Sequence, residues 1–225
     1  MRKSESTDPT EQSNSDFQVR TFFPAAMRQK DVEFGAIQIS RQLGLTGTNT
    51  LFAHSCCPDE INHANGDITT QLREHFGGAF ALGGLAGIPF TGATGFGAMA
   101  SHGPDDGNIF VLFAPHCAVS KQGECGKYHR PSQKGESHAC GAAIGALNAV
   151  KDLDEAPQID PLGIDCQMQI IKNLVWKHKD QLNASEQQIR DTTYILYEES
   201  LSFIRQFANK NKFPKINKIV ILGGI

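Results

Sequence analysis

Five consecutive apolar side chains, Ile109, Phe110, Val111, Leu112 and Phe113, constrain this chain's fold more than any other feature. A strand with one wet face alternates apolar and polar residues, whereas an unbroken apolar run is covered on both faces, as in a parallel sheet. Residues 108–114 therefore read as a central strand, ended by Pro115. Shorter strand candidates stand at residues 49–55, 79–82 and 218–222. Helical spacing fills the intervals. Val32, Ala36, Ile39 and Leu43 mark a helix over 29–43 that Gly44 stops. Pro58 suits the first turn of a helix running to Phe76, broken near Gly66. Residues 137–150, 163–181 and 186–208 complete the set, the last opened by a capping box of Ser185 and Gln188. Strands alternating with helices predict an α/β fold, an open and mostly parallel sheet flanked by helices.

The chain has 225 residues, of which 40% are hydrophobic and 20% charged, with a net charge of −3. That suffices for one domain, expected over residues 17–225. Residues 1–16 are polar and read as a disordered tail. No Lys/Arg-rich run offers a footprint for nucleic acid. The apolar runs are too short to cross a membrane, and the N-terminus lacks a signal-peptide pattern, so a cytoplasmic location is expected. Six cysteines invite a disulfide reading. A chain of this length with a full apolar core does not need such staples, and metal ligands, nucleophiles or small core residues are the better expectations.

In an open α/β sheet, ligands bind beyond the carboxyl ends of the strands. Cys57 and His116 each follow a strand end, and Cys140 stands at a helix start. Two thiolates and an imidazole form a ligand set for catalytic zinc, leaving a fourth position for water. Helix N-termini beside the cysteines favour thiolate. Against this stands a plain alternative: an isolated buried Cys is usually inert, and an isolated His is usually just hydrogen-bonded. Spacing does not decide between them. Cys56 competes with Cys57, but adjacent side chains point different ways, so only one reaches a common site. Asp59 could orient a zinc-held water or close the site as a fourth ligand. Glu60 reads as simple helix N-terminal charge. His54, His63, His102 and His138 are candidate proton relays, with a surface role as the default. The glycines between Gly83 and Gly97 require tight turns or a close backbone approach. They form no G-x-G-x-x-G, and no Walker A loop is present. Phe90 and Phe96 in that stretch could line an apolar pocket or simply pack the core.

Several segments in order carry a resemblance: Cys57-Pro58-Asp59-Glu60-Ile61-Asn62, Gly83-Gly84-Leu85-Ala86-Gly87-Ile88-Pro89-Phe90, Gly95-Phe96-Gly97-Ala98, Pro104-Asp105-Asp106-Gly107, Leu112-Phe113-Ala114-Pro115-His116 and Ala139-Cys140-Gly141-Ala142-Ala143-Ile144-Gly145-Ala146. Together they resemble the limiting-carbon-dioxide-inducible protein B and C family, relatives of β-type carbonic anhydrases. The resemblance implies a β-carbonic-anhydrase-like fold, zinc held by Cys57, His116 and Cys140, an active-site Asp59, and a homodimer. It implies reversible hydration of carbon dioxide to bicarbonate by a zinc-held hydroxide. β-type enzymes commonly place an arginine two positions after the aspartate, where this chain has Ile61. Arg73 is the first substitute expected to pair with Asp59 and Arg130, in a polar loop, the second. Two other readings remain. One is a silent homologue whose zinc is structural or closed by Asp59 and which binds bicarbonate or a partner protein. The other is a metal-free thiol hydrolase using Cys57 or Cys140 with His116 as base.

Overall fold

The computed structural model describes residues 9–63, 66–209 and 212–225. The central sheet has four strands: β1 (Thr50–Cys56), β2 (Phe80–Ala81), β3 (Gly107–Ala114) and β6 (Ile216–Gly223), in the order β2-β1-β3-β6. Every pairing in it is parallel. A separate antiparallel hairpin joins β4 (Lys127–His129) and β5 (Glu136–His138). The helices are α1 (Pro9–Phe22), α2 (Gln29–Gln42), α3 (Ile68–Phe76), α4 (Gly92–Ser101), α5 (Gly141–Val150), α6 (Cys166–Trp176), α7 (Lys179–Asn183) and α8 (Gln188–Phe207). Among the described residues no helix is long and apolar enough to cross a membrane.

The unbroken apolar run in β3 is explained by what covers it. Ile109, Val111 and Phe113 pack with Phe96 and Met99 of α4 and Ile204 of α8. Phe110 and Leu112 face the other way, into Ala36 of α2 and Leu72 and Phe76 of α3. A third cluster joins α5, α6 and α8 and reaches Cys57 and Cys140.

Several expectations need correction. Of the expected tail, residues 1–8 lie outside the described residues, but 9–16 belong to α1. Pro9 suits a first helical turn, Arg28 pairs with Asp16 at 2.7 Å, and Phe23 just beyond α1 is buried against Tyr194 of α8. The expected helix from Pro58 to Phe76 is instead a 3-10 turn (Glu60–Asn62) followed by α3, because Asp67 caps α3 afresh by accepting from the Thr70 amide at 2.6 Å. Helix α4 occupies a stretch expected to be turns, since its glycines are offset by Phe96, Met99 and Ala100, which bury one face. The expected helix over 137–150 begins only at Gly141, and its first residues form β5.

The glycine-rich segment approaches the backbone of the sheet. A Cβ on Gly83 would lie 2.7 Å from the backbone N and O of Cys56. One on Gly87, whose φ is +76°, would lie 2.8 Å from the Ala114 carbonyl oxygen. Ser55 adds a 2.8 Å hydrogen bond to the Gly87 carbonyl. This segment therefore ties together the carboxyl ends of β1 and β3.

Candidate metal centre

Strand register brings the first two donors together. Cys56 of β1 lies opposite Ala114 of β3, so Cys57 and His116 emerge side by side beyond the sheet. Cys140 arrives as the N-cap residue of α5. Its loop is held by hydrogen bonds from the Ala118 amide to the Ala139 carbonyl and from the Ala139 amide to the Gly126 carbonyl. Donor atoms of Cys57, His116 and Cys140 all lie within 4.8 Å of one another, and all three residues are buried. The two sulfurs are 3.9 Å apart and not bonded.

Three observations fit this trio to a cation. Neither ring nitrogen of buried His116 has a hydrogen-bond partner, an expensive arrangement unless a Lewis acid satisfies one of them. The donor set, two sulfurs and one nitrogen, suits zinc. The thiols are also strongly polarised against each other. The Cys57 thiol is pushed down, chiefly by hydrogen bonding from Cys140 and further by nearby His116. The Cys140 thiol is pushed up by the same contact and by burial. A pair of this kind shares one proton, which a bound cation displaces.

Cys56 is not part of the centre. Its sulfur turns toward the Thr69 hydroxyl at 3.8 Å, and burial pushes its thiol up to about 11. It belongs to the cluster of Phe52 and Leu72 on the opposite side of β1.

Asp59 stands beside the trio, with Oδ2 3.9 Å from His116 Nε2. Its guanidinium partner is Arg130, whose Nη2 donates to Oδ1 at 3.0 Å and to Oδ2 at 3.3 Å. The expectation for Arg73 does not survive: that side chain is exposed on the last turn of α3, and its field acts on His54. Arg130 follows directly after β4. It also donates to Ser137 Oγ, to the His138 carbonyl at 3.2 Å and to Glu60 Oε1 at 2.5 Å, and it lies over the Tyr128 ring. Glu60, read from sequence as bare helix-end charge, thus grips the clamp from outside. Arg130 in turn holds its carboxyl below the ordinary carboxylate value.

Of the two phenylalanines, only Phe90 is near the centre, half-buried against the cluster that holds Cys57, Ile88 and Cys140. Phe96 is fully buried on the far cluster, 5.6 Å from Phe213 and 6.4 Å from Phe207 between ring centres. It is core and not pocket lining. Among the histidines, His63 Nε2 lies 3.1 Å from the Cys57 carbonyl, which also accepts from Asn62 at 3.3 Å. His54 is half-buried on β1, His102 packs on Phe80, and His138 contributes its backbone to Arg130. The parts missed from sequence are Glu60, Tyr128 and Ser137. Nothing in the pattern of residues 127–129 and 136–138, Lys-Tyr-His and Glu-Ser-His, announces the hairpin that delivers Arg130.

Comparison with known proteins bears on the fold and the family. A crystal structure of PtLCIB4, described as a homolog of the limiting CO2-inducible protein LCIB, superposes with a TM-score of 0.82 at 29% identity, covering 93% of this chain and 86% of that one. A histidine-to-alanine mutant of PtLCIB4 superposes at 0.84 with 28% identity, covering 94% and 86%. LCIB itself matches in fold alone, with a TM-score of 0.67 at 22% identity over 90% of this chain and 84% of its own. No curated relative matches the chain. The model of the family described as limiting CO2-inducible proteins B/C, beta carbonic anhydrases, matches residues 26–225. With that match over nearly its whole length, the chain belongs to the limiting CO2-inducible protein B/C family of beta carbonic anhydrases.

Proposed function

We propose that this chain is a zinc carbonic anhydrase that interconverts carbon dioxide and bicarbonate. The observation that carries the reading is the Arg130–Asp59 pair. Both carboxylate oxygens are engaged by one guanidinium, which leaves Cys57, His116 and Cys140 as a set of three donors rather than four. A set of three is the pattern of a catalytic zinc site, and a set of four is that of a structural one.

Bound by these three residues, zinc supplies Lewis acidity that brings the ionisation of water toward neutral pH. The rest falls to the protein. Asp59, acceptor-only as a carboxylate, takes a hydrogen bond from the attacking oxygen's remaining proton and so aims its lone pair. Arg130 keeps that carboxylate from rotating onto the metal, and Glu60, Ser137 and the His138 carbonyl keep Arg130 in place. Phe90 and Ile88, in the apolar cluster around the two cysteines, give uncharged carbon dioxide a better home than they give water. The new carbon–oxygen bond yields bicarbonate, whose hydroxyl proton can remain hydrogen-bonded to Asp59. The proton released from water leaves to solvent. Following the family, the working unit is proposed to be a homodimer.

One observation keeps the silent reading in play: Asp59 Oδ2 is only 3.9 Å from His116 Nε2, so release from Arg130 would put a fourth donor within reach. Metal analysis coupled to stopped-flow hydration of carbon dioxide separates the three readings. One zinc per chain with turnover supports the enzyme. One zinc without turnover supports the silent homologue. Absence of metal with thiol-dependent hydrolysis supports the third.

A further inference from the structure

We propose that Cys117 and Cys125 form a reversible thiol–disulfide site, exchanging with low-molecular-weight disulfides, and that its redox state is felt at the ligand His116. The two sulfurs lie 3.3 Å apart, eight residues apart in sequence, and are not bonded. A disulfide requires about 2.05 Å, so closure needs a movement of little more than an ångström. Both residues are partly exposed, whereas Cys56, Cys57 and Cys140 are buried. Among the described residues no third histidine, cysteine or carboxylate joins them to complete a metal site. The backbone already brings the two together, through the bridge between Val119 and Cys125 and the 2.7 Å hydrogen bond from the Gly126 amide to the Ala118 carbonyl.

The position of the pair gives the bond its consequence. Cys117 is the neighbour of His116, and Cys125 precedes Gly126, whose carbonyl anchors the Ala139 amide beside Cys140. Drawing the sulfurs together pulls on the segment between two of the three ligands. In the exchange, one protein thiolate attacks the small disulfide, forming a mixed disulfide and releasing one thiolate. The second cysteine loses its proton and displaces the remaining small thiol. One sulfur–sulfur bond is consumed and one is formed; the protein is oxidised by two electrons and the small disulfide is reduced to two thiols.

The test uses the zinc-loaded full chain in buffers of oxidised and reduced glutathione. Lys121 lies between the two cysteines, so trypsin separates them and a bond appears as a linked peptide pair under non-reducing mass spectrometry. The expected result is the loss of two free thiols per chain, a linked Cys117–Cys125 pair that dithiothreitol reverses, and none in Cys125→Ser. Zinc removal by a chromogenic chelator is expected to change about 3-fold or more between the two forms. Separate glutathione adducts on each cysteine, or a Cys57–Cys140 link in their place, would overturn the site. A linked pair with unchanged zinc removal would overturn the coupling to His116. The linked peptide does not depend on the carbonic anhydrase reading, so a chain that binds no zinc would sink that reading while leaving the bond itself measurable.

Discussion

At the scale of single residues, the chemistry turns on which atoms compete for Asp59. The Arg130–Asp59 pair is mostly buried, with side chains 16% and 13% exposed, so its hydrogen bonds are charge-assisted and little screened. Removing Arg130 frees the carboxylate without touching a ligand. Arg130→Ala is expected to retain one zinc per chain, release it to chelators more slowly, and hydrate carbon dioxide about 10–100-fold more slowly. Asp59→Ala should likewise keep zinc and lose rate. The two losses should not add in the double variant, because both break one unit. Cys140→Ser, by contrast, is expected to lose stoichiometric zinc by metal analysis. Cys57, His116 and Cys140 stood out in the sequence as candidates because each follows a strand end or opens a helix, positions where an α/β sheet gathers functional groups, but spacing left a plain structural reading open and only the resemblance chose between them. The arginine did not stand out, because Arg130 meets Asp59 across 71 residues through a hairpin outside the main sheet. Proximity in sequence instead favoured Arg73.

At the scale of elements, the glycine-rich segment and β1 carry the testable load. The sequence asked of these glycines either tight turns or a close backbone approach, and at Gly83 and Gly87 the structure shows the approach, to the ends of β1 and β3. Gly87→Ala combines a positive φ with a Cβ 2.8 Å from the Ala114 carbonyl oxygen. It is expected to destabilise the fold by about 1–3 kcal/mol and to weaken zinc retention, read by denaturant midpoint and metal content. On β1, burial is the chief cause lowering the His54 pKa from 6.5, with His63 and Arg73 adding and Asp67 opposing. The unfolded chain therefore takes up that proton more readily than the folded one. Stability from this group is complete above the unfolded value of 6.5 and is lost as pH falls through it toward the lowered folded value. His54→Gln should flatten that part of the pH dependence of the melting temperature. Element boundaries were least legible where capping restarted a helix, as Asp67 does for α3, or where one buried face rescued a glycine-rich helix, as in α4.

At the scale of the whole molecule, the sheet separates stability from chemistry. Fold class followed from the apolar run of β3, which marks a strand covered on both faces, together with the alternation of strands and helices along the chain. The roles of the two phenylalanines did not follow, since periodicity does not say which side of the sheet a helix will cover. Phe96 lies with Phe207 and Phe213 on a cluster that contains none of the metal-centre residues. Phe96→Ala is expected to cost about 3–5 kcal/mol of stability while leaving zinc stoichiometry unchanged below the melting transition. Phe90→Ala should do the reverse, with a smaller change in melting and a raised KM for carbon dioxide.

The ribbon that carries the Asp59 clamp also leads straight into the second sulfur donor. β4 starts just after Gly126, whose carbonyl accepts from the Ala139 amide, and β5 runs on through Ala139 to Cys140. On the proposed reading, one excursion from the sheet thus delivers both a grip on the cation and the brace that keeps the carboxylate off it. A cut or insertion in that ribbon is expected to impair metal retention and turnover together, never one alone.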